Sequence, residues 1–237
     1  MTVNLLHIET STDRCSICLT QNDIHLASKS AIKDRSHSEI LTVMIQELLK
    51  EARVGRQELS GIVLSIGPGS YTGLRVGSAV AKGLCYSLDI PLITSNTLTA
   101  LAAKYRDDSS DTLLISMLIA RKEEVYMQVL DGYMHVVQDV TPMMIDVASI
   151  EHLNLSSKSR IVVCGNANHI IMPYLSLIES VEYDDTQPHA DALAEISYNQ
   201  YQSSEFADIA YFDLDYIKSP HITKSKKKLL VHRTVKK

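Results

Sequence analysis

Apolar and polar positions alternate or run together in blocks of two distinct lengths, and the blocks come in the same order twice. Val3 to Glu9, Cys15 to Thr20 and Ile24 to Ser30 are strand-length stretches joined by the short polar links TSTDR and QND, a pattern that predicts an antiparallel meander. Ile40, Leu41, Met44, Ile45, Leu48 and Leu49 then recur at helical spacing, and Ser36 with Glu39 has the form of a capping box at the start of that helix. Gly61 to Ile66 is a short apolar run rich in β-branched residues, which reads as a buried strand. Gly67, Pro68 and Gly69 break it, and a long helix begins near Ser70 and Thr72, whose hydroxyls suit the open amides of a helix start. Ile90 to Thr94 predicts a strand and Asn96 to Tyr105 a helix, closed by the polar link RDDSSD.

The second half repeats this order. Thr112 to Ile119, Glu124 to Leu130 and Tyr133 to Gln138 predict three strands, followed by a weaker helical segment over Asp146 to Leu153. Arg160 to Cys164 predicts a strand running into Gly165, then a helix over Asn168 to Ile178, a short strand over Val181 to Tyr183 and a helix over Asp191 to Gln202. Each half therefore runs βββαβαβα. The expected lobes are residues 1–108 and 109–215, with a tail over 216–237. This order, with a polar turn after the first strand and a glycine turn after the fourth, is that of the actin-like, hexokinase and sugar-kinase (ASKHA) fold.

The long central helix carries an anomaly. Gly73, Gly77, Ala81 and Cys85 fall on one stripe, and each interior glycine costs roughly 1 kcal/mol relative to alanine. Close approach of another backbone would compensate. That backbone belongs either to the chain's own sheet or to a second pair of helices docking from another chain. The interaction reading is preferred, and with it Gly77→Leu is expected to abolish pairing while leaving the fold intact.

Composition narrows the function little. The 237 residues are 45% hydrophobic and 22% charged with a net charge of −5, ordinary for a globular chain, and no apolar run is long enough to span a membrane. The N-terminal stretch lacks the basic start and long apolar core of a signal peptide, so a cytoplasmic location is expected. Four cysteines in that setting are expected as free thiols, which leaves the sequon at Asn154 without consequence. Charge is uneven: Ile222 to Lys237 holds seven Lys or Arg and no acid, leaving an acidic body, and contact of Lys226 to Lys228 with tRNA is a hypothesis attached to that tail.

The glycine-rich and hydroxyl-bearing turns are the chain's candidates for chemistry. GPGSYTG is one residue longer than the dinucleotide fingerprint and lacks the lysine of a P-loop. Thr10, Ser11, Gly67, Gly69 and Ser70 form two turns able in principle to cradle phosphate. LIARK, over Leu118 to Lys122, has no acidic residue with Gly and a hydroxyl behind it to complete a clamp, so these loops read as vestigial. No metal site is expected: the fourth residue after His37 is Leu41, and Cys15 and Cys18 point to opposite faces of a strand. No nucleophile elbow is present around Ser65, Ser70 or Ser78.

IETSTDRCSICL, RSHSEILTVMIQELL, GPGSYTGLRVGSAVAKGL, PLITSNTLTALA, ARKEEVYMQVLD and the late YIK at Tyr216 resemble the corresponding segments of the TsaB (YeaZ) family. Glu9 stands where that family more usually has Asp. The resemblance implies a non-catalytic subunit needed for threonylcarbamoylation of the adenosine next to the anticodon of tRNA. It implies pairing with a TsaD-like transferase paralogue, a TsaE-like ATPase as a further partner, a homodimer when the paralogue is absent, and tRNA met only through the complex. The surface expected to pair comprises His37, Ile40, Leu41, Met44, Ile45 and Leu48 of the first helix with Tyr71, Gly73, Leu74, Arg75, Gly77, Val80 and Ala81 of the second. Arg121 and Glu124 are selected by the resemblance alone, as supports of that interface or of the lobe junction. No cofactor is expected in the isolated chain, with ATP or ADP confined to a composite interface. The alternative is an autonomous ATP-dependent small-molecule kinase of the same fold.

Overall fold

The computed structural model describes residues 2–32, 37–153 and 155–217. Ser36, Lys218 and the basic tail therefore lie outside the described residues, and so do the capping box and the tRNA-contact hypothesis that depend on them.

The first sheet is built from β1 (Asn4–Glu9), β2 (Arg14–Gln21), β3 (Ile24–Ile32), β4 (Gly61–Ser65) and β5 (Leu92–Ser95), in the spatial order β3-β2-β1-β4-β5. β1 runs antiparallel to β2, Ile8 opposite Ile17, and parallel to β4, Ile8 opposite Leu64. The second sheet repeats this. β6 (Thr112–Arg121), β7 (Glu124–Asp131), β8 (Val136–Met144), β9 (Arg160–Gly165) and β10 (Val181–Asp184) lie in the order β10-β9-β6-β7-β8. The helices are α1 (His37–Ala52), α2 (Tyr71–Leu88), α3 (Thr97–Ala103), α4 (Val147–Glu151), α5 (Asn168–Leu175) and α6 (Ala190–Gln202). The expected duplication is thus present strand for strand and helix for helix.

Element boundaries moved for identifiable reasons. Asn96 is the cap of α3 and not part of it: its Oδ1 accepts from the amides of Leu98 and Thr99. Residues 133–135 form a turn, because Asp131 Oδ1 accepts from the amides of Tyr133 and His135, and β8 begins only at Val136. That strand runs through Pro142, tolerated because β8 is at the sheet's edge. α4 is confined to five residues, with Asp146 capping the amide of Ser149. α5 carries Pro173 and stops at Leu175, short of Ile178.

α1 and α2 cover the outer face of the first sheet, where Leu41, Leu48, Leu64, Ala81 and Cys85 share a core with Ile8 and Ile17. The inner faces are covered crosswise. α3, from the first half, packs Leu98 and Leu101 against Leu114, Leu130 and Val162 of the second sheet. α6, from the second half, packs Leu193 against Val3, Leu5, Val63 and Ile93 of the first. The chain after α6 stays there: the Ala207 amide donates to the Leu92 carbonyl at 2.8 Å and the Asp215 amide to the Ile66 carbonyl at 2.9 Å. Residues 189–217 accordingly sit on the first lobe, which corrects the expected 109–215 lobe. An amphipathic helix announces an apolar face but not which sheet will receive it.

Beneath α6 lies a polar layer. The Ala190 amide donates to Ser16 Oγ at 3.0 Å, and His7, fully buried, donates from Nδ1 to the Cys18 carbonyl at 3.1 Å and accepts at Nε2 from Ser197 Oγ at 2.7 Å. Burial pushes the His7 pKa down to about 4. The unfolded chain, with His near 6.5, binds more protons between those values, so this contribution is complete above pH 6.5 and is lost as pH falls. We expect about 2 kcal/mol of stability to disappear between about pH 7.5 and about pH 5 through this residue. Buried Glu9, whose pKa is raised by desolvation, acts in the opposite sense. Urea denaturation of the wild type and His7→Asn at both pH values isolates the histidine: the variant should lose that part of the slope.

Candidate docking surface and interlobe cleft

α2 begins where Ser70 Oγ accepts from the Gly73 amide at 3.3 Å, and it runs for eighteen residues to a left-handed cap at Asp89. Its small-residue stripe faces inward. A Cβ on Gly73 would collide with the backbone carbonyl of Thr10 and lie 3.1 Å from His37 Nδ1. A Cβ on Gly77 would collide with Thr10 Oγ1 and stand 3.3 Å from Leu64 Cδ1. Ala81 and Cys85 continue the stripe in the core. The glycines are therefore explained by close packing of α2 on the turn after β1 and on β4. This corrects the expected outward role of Gly73, Gly77 and Ala81, and the prediction that Gly77→Leu would spare the fold.

The other expected pairing residues divide in the same way. Leu41, Leu48 and Leu74 are inside, Met44 and Ile45 nearly so, while His37, Ile40, Tyr71 and Val80 are half-buried and Arg75 is exposed. A different set lies outside. Thr72, Ala79, Gly83 and Tyr86 lie at helical spacing on the open side of α2, Tyr86 being 86% exposed, and no described residue lies within 4 Å of a Cβ on Gly83. α1 contributes exposed Val43 beside Ile40. Between the two helices runs a groove of about 490 Å³, lined by Thr42, Ile45, Gln46, Leu49, Val80 and Leu84 with Arg56 at one end.

At the start of α2, Arg75 stacks 4.0 Å above the Tyr71 ring and donates from Nε to Tyr216 Oη at 3.1 Å. The rings of Tyr71 and Tyr216 are 4.7 Å apart. This cluster ties the returning C-terminal segment to the helix face, a contact between residues 141 positions apart.

The interlobe cleft, about 290 Å³, is walled by Ser11, Thr12, Asp13, Gly69 and Ser70 on one side and Leu118, Ile119, Ala120, Tyr126 and Asn166 on the other. The two turns expected to cradle phosphate instead close on each other. The Ser70 amide donates to the Ser11 carbonyl at 2.5 Å, and a Cβ on Gly69 would collide with that carbonyl. Glu9 is folded back, accepting from the Ser11 amide at 2.6 Å. Thr10 Oγ1 and Ser11 Oγ are buried without hydrogen-bond partners. Among the described residues the walls contain no cation, and the acid there, Asp13, would oppose a phosphate. Nucleotide binding in such a cleft is general to this fold, but these residues do not fit a nucleoside triphosphate. Arg121 and Glu124 pair across the β6–β7 hairpin beyond the cleft wall, with Arg121 exposed.

All four cysteines are free and buried. No helix among the described residues is long and apolar enough to cross a membrane.

Two sheets of one order, each covered on its inner face by the other half's last helix and meeting at a cleft, define an ASKHA-type protein of the actin-like class. The family model described as TsaD, tRNA N6-adenosine threonylcarbamoyltransferase, matches residues 27–230. Among curated proteins, the chain is 32% identical over 127 residues to the tRNA threonylcarbamoyladenosine biosynthesis protein TsaB of Haemophilus influenzae, a match covering 52% of each chain. It is 36% identical over 124 residues to TsaB of Bacillus subtilis, covering 52% of this chain and 53% of that one. These matches span about half the length of the curated relatives. YeaZ from Pseudomonas aeruginosa superposes over 88% of this chain and 96% of its own with a TM-score of 0.69 at 23% identity, which bears on the fold. The chain belongs to the TsaD family as that model defines it.

Proposed function

We propose that the chain is a non-catalytic subunit in the formation of threonylcarbamoyladenosine in tRNA and that it docks a TsaD-like transferase paralogue through the open faces of α1 and α2. The observation that carries this reading is the contrast between the interlobe cleft and the α1–α2 groove. The interlobe cleft, where a catalytic relative would hold its substrate, is narrowed by its own turns and is lined by no cation among the described residues. The α1–α2 groove is open and partly apolar, and Gly83 on the neighbouring face of α2 has no described residue within 4 Å of a Cβ. Interaction surfaces of this kind derive affinity from a few apolar anchors at their centre. Val80, Leu84 and Val43 are positioned for that role, with Arg75 at the rim. In the same reading, a second copy occupies the face when the paralogue is absent. A TsaE-like ATPase and tRNA join the assembled complex, and ATP or ADP binds only where a partner completes the site.

Light scattering behind size exclusion tests this on the chain alone and mixed with a TsaD paralogue. A homodimer that exchanges into a heterodimer is the expected result. Two species that ignore each other would overturn the docking reading, and calorimetric binding of ATP with Mg²⁺ to the isolated chain would return the small-molecule kinase.

A further inference from the structure

Where α6 crosses the β2–β3 hairpin, three side chains with metal-ligating atoms converge. Cys18 Sγ, a His25 ring nitrogen and an Asp191 carboxylate oxygen all lie within 4.8 Å of one another. His25 Nε2 stands 3.4 Å from Asp191 Oδ1, an atom buried at the foot of α6. The three come from distant parts of the chain. Cys18 projects from β2 into the polar layer under α6, His25 opposes Thr20 at the start of β3, and Asp191 occupies the first turn of α6.

His25 and Asp191 form an ion pair near the surface, and the Cys18 thiol reaches the same carboxylate through a hydrogen bond, so all three side chains meet at Asp191. A buried thiol is ordinarily surrounded by apolar groups and behaves as a small hydrophobe. Here its side of the sheet also carries His7 and the two other ligand types, and the arrangement has the supports that metal sites use. His7 Nδ1 donates to the Cys18 carbonyl at 3.1 Å and fixes that stretch of β2, while the Asp191 amide donates to His189 Nδ1 at 3.3 Å and fixes the start of α6. On the open side is a cavity of about 540 Å³, lined by Asp23, His25, Asp191, Glu195 and Tyr198 among others.

We propose that Cys18, His25 and Asp191 form a Zn²⁺ site whose fourth position opens into this cavity. One thiolate, one imidazole and one carboxylate make a mixed donor set suited to a borderline cation, whereas Mg²⁺ and Ca²⁺ prefer oxygen alone. Tetrahedral zinc holds such ligands about 3.4–3.6 Å apart. The His25–Asp191 pair already has that separation, and rotation of His25 at the surface brings the set together about the thiol. Binding releases the thiol proton to solvent and links β2, β3 and α6 through a single ion, so the helix contributed by the second half is pinned to the first sheet.

Cobalt(II) serves as the probe, because its bond to a thiolate gives a charge-transfer band in the near ultraviolet. The full chain, freed of metal and kept reduced, should take up one equivalent of Co²⁺ with this band, and Zn²⁺ should displace it. Cys18→Ser should remove the band. His25→Gln, at an exposed position, should weaken Co²⁺ binding at least ~10-fold with the fold intact. Cys15→Ser, on the opposite face of the same strand, should leave both unchanged. A titration without the band, a band that survives Cys18→Ser, or an affinity unaltered by His25→Gln would overturn the site.

Discussion

Replacing Gly77 with leucine is expected to remove at least about 3 kcal/mol of stability, at the upper end of what overpacking a core costs. The new side chain would start from a Cβ already in collision with Thr10 Oγ1 and 3.3 Å from Leu64 Cδ1, between α2 and two strand ends that have no room to part. Thr10 is itself fully buried in the turn after β1, so a shift there propagates into the Gly69–Ser11 contact and the wall of the cleft. Urea denaturation followed by circular dichroism should show a lower midpoint. Any loss of pairing should track the loss of fold. Pairing lost from a protein of unchanged stability would place the stripe on the outside after all.

Gly83→Arg should do the reverse. With no described residue within 4 Å of its Cβ, position 83 has room for a longer side chain, and replacing a mid-helix glycine should raise helix stability by up to about 1 kcal/mol. On a docked face the same residue would drive a long cation between two packed helices. The affinity for a TsaD-like paralogue is expected to fall at least ~100-fold, the effect of disrupting a central anchor region. Titration calorimetry paired with a thermal melt reads both quantities. An unchanged affinity would move the interface away from α2.

These opposed expectations for two glycines six residues apart show what the sequence carries and what it omits. Element order was legible, because apolar runs of strand length and amphipathic runs of helix length differ in period, and the glycine turn separates β4 from α2 without ambiguity. The inward face of α2 was not. Gly73, Gly77, Ala81 and Cys85 form one stripe of small residues, and Thr72, Ala79 and Gly83 form another. Only the position of Thr10 decides which is buried. The destination of α6 was hidden for a related reason, since Leu193 and Ile196 fit either sheet by pattern alone. The cysteine, histidine and aspartate that meet under α6 escaped notice because Asp191 is remote from β2 in sequence and His25 reaches it only through the hairpin register. The closed cleft was partly readable: the missing acid and hydroxyl of LIARK were visible, whereas the contact of Ser70 with Ser11 required coordinates.

The crossed helices bear on how the chain is made. Synthesis delivers residues in order, at roughly 5–20 per second. The first sheet is complete in sequence once β5 ends at Ser95, yet its inner face waits for α6, about a hundred residues later. For an interval on the order of 5–20 s, the newborn chain therefore carries Leu5, Val63 and Ile93 on an unroofed sheet, a binding surface for chaperones that vanishes when the last helix arrives.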